Sequence, residues 1–221
     1  MPGGTITAIS AQTHDSQRVN VFVDGQFAFG LGLDTLAREG LYVGQQLDAD
    51  TRARLEAIAE TERALSAALR LLAVRPRSSA EVRQRLRRKG FGAAAVAQAL
   101  ERLLATGLLD DAAFSRYLIE NRQTFRPRGA RALRAELRQK GVDRETIETA
   151  MAASGGDADA EHARALAVAR AALPRYASAS DRATFNRRLG GLLQRRGFSL
   201  ATIRPILAIL WHEHNAPPDE S

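Results

Sequence analysis

At 221 residues, 45% of them apolar and none of them cysteine, the chain is sized for one or two globular domains and excludes both a disulfide framework and a thiolate metal site. It holds no run of eighteen apolar residues and no basic segment followed by an apolar core at its start, so neither a membrane span nor secretion is expected, and a cytoplasmic location is. The net charge of +7 is unevenly held: −4 over residues 1–61, +9 over 62–152 and +2 over 153–221. A block of that sign in mid-chain suits phosphate backbones or an acidic protein surface.

The first segment has a two-residue period. Thr5 to Ala11 alternates, and the β-rich runs Val19–Val23 and Gln26–Phe29 flank Asp24-Gly25, the strongest short-range hairpin signal. A hairpin of that size is marginal alone and needs a third strand or a helix to dock on. Leu33 to Arg38 reads as a short helix ended by Gly40, and Asp48 to Arg70 as a polar helical connector.

Beyond it one pattern occurs three times. The copies are Val82-x3-Leu86-x2-Lys89-Gly90-Phe91, Leu133-x3-Leu137-x2-Lys140-Gly141-Val142 and Leu189-x3-Leu193-x2-Arg196-Gly197-Phe198. Each continues with two more apolar residues: Val96 and Leu100, Ile147 and Met151, Ile203 and Leu207. Counted from each glycine, the apolar positions are −8, −4, +1, +6 and +10. The first pair lies one turn apart on one helix, and the last pair on another. The glycine stands where the first helix must end, since only glycine turns left-handed without a Cβ penalty. An earlier helix precedes each of the first two copies, through Leu65, Leu69 and Leu72 and through Phe114 and Leu118. Arg75-Pro76-Arg77-Ser78 and Arg126-Pro127-Arg128-Gly129 then break it at matching offsets, with Ser78 or a neighbour able to cap the next helix. The unit is therefore three helices, roughly 45 to 55 residues, helix-turn-helix-like in size. Asp111 is expected to cap the helix of Phe114. Residues 153–157 read as a flexible joint, and Asn215 to Ser221 as a disordered tail.

The charge follows the repeat. Arg83 and Arg87 lie opposite the Val82/Leu86 face, and 51 residues on stand Arg134 and Arg138, joined by Arg131. In the third copy these positions are Gly190 and Gln194. A merely solvated face interleaves Glu and Lys for i,i+4 pairing, whereas only two of the 32 basic residues here are lysine. Guanidinium favours bidentate contact with phosphate or carboxylate, so DNA or an acidic protein groove would satisfy the stripe.

With these features in view, the chain resembles the RecX regulatory proteins, which modulate the RecA recombinase. The resemblance is carried by Gly107-Leu108-Leu109-Asp110-Asp111-x2-Phe114, by the Lys-Gly turns and by the two Arg-Pro-Arg elements, and it spans about residues 5 to 210. It implies a mainly α fold, with tandem three-helix units in an elongated curved array behind a small β-hairpin module. The expected divisions are 1–60 for module and connector, 61–108, 109–153 and 154–214 for the units, and 215–221 for the tail. It also implies a monomer that lies along the RecA filament groove and inhibits strand exchange and ATP hydrolysis, with direct contact to single- or double-stranded DNA in some members. Arg83, Arg87, Arg131, Arg134 and Arg138 are the expected interface, with Arg75, Arg77, Arg126 and Arg128 of the turns behind them; RecA and DNA both fit. The competing reading is a helix-turn-helix protein acting on DNA directly, and a passive helical scaffold is the third.

Enzyme readings find little support. There is no cysteine nucleophile, no Gly-x-Ser-x-Gly and no Walker A sequence, and Gly30-Leu31-Gly32 lacks the third glycine of a dinucleotide loop. His212 and His214 flank Glu213 but point to different sides of a helix, and His14 and His162 are isolated in sequence, so no metal, cofactor or general base is assigned. Trp211 reads as a packing anchor for the third unit.

Overall fold

A computed structural model describes residues 3–13, 15–154, 158–176 and 181–215, with side chains to residue 213. His14, the side chain of His214, most of the expected joint, part of the loop before the third repeat and residues 216–221 lie outside the described residues. The chain divides into two compact units, Met1–Leu109 and Asp110–Ser221.

The first unit opens with strands β1 (Gly4–Gln12), β2 (Asp15–Val23), β3 (Gln26–Gly32) and β4 (Gln46–Leu47), in the spatial order β3-β2-β1-β4. All pairings are antiparallel. Asp24 and Gly25, at φ 50° and 80°, make the two-residue hairpin turn. The expected helix is present as α1 (Leu33–Arg38). The hairpin has both of the supports that its size demands. β1 pairs with it, and Ile6, Val19, Val21, Phe29 and Leu31 pack on Leu55 and Ala59 of α2 (Ala49–Val74).

That helix is longer than the sequence pattern suggested. Connector and first repeat helix are one unbroken element of 26 residues. Its fully buried core face is Ala64, Ala67 and Ala68; of the expected leucine row, Leu65 and Leu72 pack half-buried against that core and Leu69 is left exposed. Alanine allows close approach to α4 (Ala93–Ala105), while α3 (Ser79–Arg88) closes the bundle. Glu62 of α2 fastens the sheet to this bundle. Its carboxylate accepts from the Gly32 N–H at 2.8 Å and the Thr35 hydroxyl at 2.5 Å, and pairs with Arg18 at 3.3 Å.

The second unit holds two three-helix bundles: α5 (Asp111–Phe125), α6 (Ala130–Gln139) and α7 (Arg144–Ala153), then α8 (Ala158–Ala172), α9 (Arg182–Arg195) and α10 (Leu200–Asn215). A short 3-10 turn, Leu173–Arg175, follows α8. Phe185 and Leu189 lie at the centre of the third bundle, and Trp211 packs on Phe185 with ring centroids 5.3 Å apart, as an anchor there should. α10 includes Asn215, one residue into the segment expected to be disordered.

The three glycine turns are the same structure. Gly90, Gly141 and Gly197 have φ of 86°, 77° and 87°. In each, the glycine N–H donates to the carbonyl three residues back (3.0, 2.9 and 2.9 Å), and the next residue's N–H reaches five back, to Leu86, Leu137 or Leu193 (3.3, 3.2 and 3.1 Å). This paired closure satisfies the last helical carbonyls and folds the following apolar residue onto the helix it leaves. Of the fifteen repeat positions only Phe91 is not buried, and it packs half-buried against the core of its bundle.

Two caps are settled by geometry. Ser78 caps α3, its Oγ accepting from the Glu81 N–H at 3.2 Å. Asp111 does not cap α5. Asp110 does, with Oδ1 accepting from the N–H groups of Ala112 and Ala113 at 2.7 and 3.0 Å. Asp111 is the first helical residue, one position past the extended backbone that a cap requires.

Candidate interaction surface

α3 begins at the Ser78 cap and turns Val82 and Leu86 inward, which leaves Arg83, Arg85, Arg87 and Arg88 exposed on the remaining faces. Neither Arg83 nor Arg87 has a carboxylate partner among the described residues. Both border a groove of about 470 Å³ floored by Val96, Ala97 and Leu100 of α4, with Leu104, half exposed, at one end. On α6 the same spacing leaves Arg131 and Arg138 exposed, with no carboxylate partner among the described residues.

Arg134, between them, is held. Its Nε and Nη2 grip Glu148 of α7 at 3.0–3.1 Å, and this hydrogen bonding holds the Glu148 carboxyl below its ordinary pKa. The turn arginines divide in the same way. Arg126 is exposed and has no ion-pair partner among the described residues. Arg75 pairs with Glu81 at 3.2 Å, and Arg128 with Glu136 at 3.1 Å, where Arg122 also binds. Arg77 is buried, with only 8% of its surface exposed, and its Nε donates to the Leu71 carbonyl at the end of α2 at 3.0 Å. Burial lowers its pKa, with repulsion from Arg75 and Arg85 adding to it. The nine expected interface residues thus separate into five exposed guanidiniums without a carboxylate (83, 87, 126, 131 and 138) and four engaged within the fold.

Sequence patterning missed a second cationic surface. In the first unit a cleft of about 840 Å³ lies between β3, α2 and the Lys89–Phe91 turn. Arg63, on its α2 wall, stacks over the Phe91 ring at 5.8 Å. Arg63 belongs to the polar face of what read as a connector, so no repeat flagged it. Elsewhere, Gly30-Leu31-Gly32 is the end of β3 and not a loop. Glu213, between the two histidines, is held by Arg170 at 2.8 Å. No helix among the described residues is long and apolar enough to cross a membrane.

A small antiparallel sheet fastened to tandem three-helix bundles, with arginines repeated on the middle helix of the first two, defines a helical-repeat protein whose distinctive surface is cationic. Family models match in the same order as these elements: "Regulatory protein RecX N-terminal domain" over residues 4–48, "RecX, first three-helix domain" over 64–103 and "RecX, second three-helix domain" over 110–151. The chain belongs to the RecX family. Regulatory protein RecX of Mycobacterium avium is 42% identical over 138 residues, covering 62% of this chain and 79% of its own. That of Bacillus licheniformis is 33% identical over 146 residues, covering 66% and 56%. The fold matches a crystal structure of regulatory protein RecX with a TM-score of 0.76 at 24% identity, over 92% of this chain and 98% of that one. It also matches RecX from Lactobacillus salivarius with a TM-score of 0.61 at 20% identity, over 68% and 96%.

Proposed function

We propose that this protein is a regulator, chiefly an inhibitor, of the RecA recombinase. It binds as a cytoplasmic monomer along the groove of the RecA–DNA filament and suppresses strand exchange, ATP hydrolysis and filament growth. Its relatives' name, regulatory protein, supports the regulatory role. The observation that carries the surface assignment is the recurrence of unpaired guanidiniums at one offset, Arg87 on α3 and Arg138 on α6. A cation without an internal partner contributes little to the fold, and a partner with repeated acidic sites gives its repetition a use.

The alternative, a helix-turn-helix protein acting directly on DNA, expects base-reading side chains on the helix after the turn. That helix is α4 in the first bundle, where Ala93, Ala94, Ala97 and Glu101 are exposed beside Arg102. In the second it is α7, which exposes Glu145 and Glu148 beside Arg144. Most of the cations sit instead on the preceding helix, and this favours the filament reading.

The test is RecA-catalysed, single-strand-dependent ATP hydrolysis with this protein titrated from far below to above the RecA concentration. Inhibition at substoichiometric levels supports blocked filament growth, and inhibition near stoichiometry supports groove occupancy. No inhibition at any ratio overturns the regulator reading and moves the assignment to direct DNA binding, which a steep inverse dependence of affinity on salt would reveal.

A further inference from the structure

The first and second bundles carry the same arginine in two states. Position 83 of the first corresponds to 134 of the second, 87 to 138, and 97 to 148. In the second bundle Glu148 fills the place of Ala97 and binds Arg134 through three contacts of 3.0–3.1 Å. The first bundle keeps the arginine and lacks the acid. Between α3 and α4 lies an open groove of about 470 Å³. Glu101 also lines the groove but makes no ion pair with Arg83, which has no carboxylate partner among the described residues.

We infer that this open groove is a docking site for an acidic, amphipathic helical segment of a partner protein. One carboxylate of that segment takes on Arg83 the place that Glu148 takes on Arg134, and its apolar side chains rest on Ala97, Leu100 and Leu104. The chain itself supplies the argument for the carboxylate, since the equivalent arginine of the second bundle is held by one of its own. The floor supplies the argument for the apolar half. Leu100 is buried and Val96 fully so, yet Leu104 at the rim is 50% exposed. A run of Ala93, Ala97 and Ala105 lets another helix come close. Phosphate would have no use for such a floor. Arg87, one turn on from Arg83, gives the segment a second cation about a helical turn away. The inference deepens the regulator reading and rests on it for the partner's identity, RecA, but not for the chemistry of the groove.

Three substitutions in the full-length protein test it, each checked for unchanged helicity by circular dichroism. Ala97→Glu copies the second bundle and should fill the groove from within without removing a cation. Leu104→Ser removes the exposed apolar contact and no charge. Arg102→Ser, which alters charge on the same helix but lies outside the groove lining, is the control. Inhibition of RecA should weaken at least about tenfold for the first two, the equivalent of about 1.4 kcal/mol, and stay within about twofold for the control. Binding to oligo-dT, measured without RecA, should be unmoved by Leu104→Ser. The direct probe is a fluorescent synthetic helix with leucines at i, i+4 and i+7 flanked by glutamates. It should bind the wild type and lose at least about tenfold on Ala97→Glu and Leu104→Ser. If the wild type inhibits RecA but Leu104→Ser inhibits equally well, the groove assignment is wrong and the regulator reading stands. If the wild type has no effect on RecA yet binds the peptide with these sensitivities, the regulator reading fails and the groove stands. Failure of the peptide to bind at millimolar concentration overturns the groove chemistry.

Discussion

Two adjacent aspartates, Asp110 and Asp111, show how sharply one position divides roles at a helix start. Asp110 has extended backbone and a carboxylate that collects two otherwise orphaned N–H groups, whereas Asp111 already has helical geometry. Asp110→Ala should therefore cost about 1 kcal/mol in urea unfolding through loss of the cap, and Asp111→Ala less, since it leaves both capping hydrogen bonds in place. Equal costs would return the cap to Asp111. Asp48 and Asp143 cap α2 and α7 in the same way, and the N–H groups of Thr51 and Thr146 hold their carboxyls below the ordinary value of 3.8. Arg134 does the same for Glu148, whose ordinary value is 4.5. For all three the folded-state pKa is depressed. Their contribution is complete above the ordinary carboxylate range and is lost as pH falls through the depressed values. The thermal midpoint should be insensitive to these groups from pH 7 to 5 and should drop below about pH 4. The triple variant Asp48→Asn, Asp143→Asn, Glu148→Gln should flatten that drop, and an unaltered acid limb would refute the assignment.

At the scale of elements, the glycine turns separate backbone strain from packing. A Cβ on Gly90 meets open space, so Gly90→Ala should cost only the left-handed penalty, roughly 1–2 kcal/mol. Gly129, by contrast, has an ordinary φ of −74°. A Cβ there would collide with the Gly197 carbonyl, because the turn of the third bundle docks on the start of α6 and the Gly129 N–H donates to the Arg196 carbonyl at 2.9 Å. Gly129→Ala should therefore cost about 1–3 kcal/mol by overpacking alone. Gly197→Ala combines both penalties, since its added Cβ would collide with that of Ala132, and should be the worst of the three. Urea denaturation of the three variants ranks them, and a Gly129→Ala protein as stable as wild type would rule out the close docking. These turns were legible because a residue's own chemistry sets its φ: Lys-Gly followed by an apolar residue announces a helix end wherever it stands. The role of Gly129 was not, because the atoms that forbid a Cβ there come from 68 residues downstream. The unbroken α2 was hidden for a related reason. Most of its fully buried residues are alanine, which carries little hydrophobic signal, and Leu69, which does, points outward.

At the scale of the whole molecule, the question is whether repeated surfaces act together. The arginine stripe was legible as a period in the sequence, but which of its members are free was not. Arg134, Arg128 and Arg75 meet carboxylates 14, 8 and 6 residues away, and only the folded helices bring these together. What remains without a carboxylate among the described residues is Arg83 and Arg87 on one compact unit, and Arg126, Arg131 and Arg138 on the other. If both units engage one filament, each stripe raises the effective concentration of the other, and losing either forfeits the linkage as well as its own contacts. Arg87→Glu and Arg138→Glu should then each raise the half-inhibitory concentration against RecA by about tenfold or more, at unchanged helicity. The double variant should be worse than either, and all three should show a shallower dependence on salt than the wild type. If Arg138→Glu has no effect while Arg87→Glu abolishes inhibition, the first unit binds alone and repetition of the stripe serves something else. Undiminished inhibition by the double variant would remove the stripe from the interface altogether and leave the Arg63–Phe91 cleft as the cationic surface to test next.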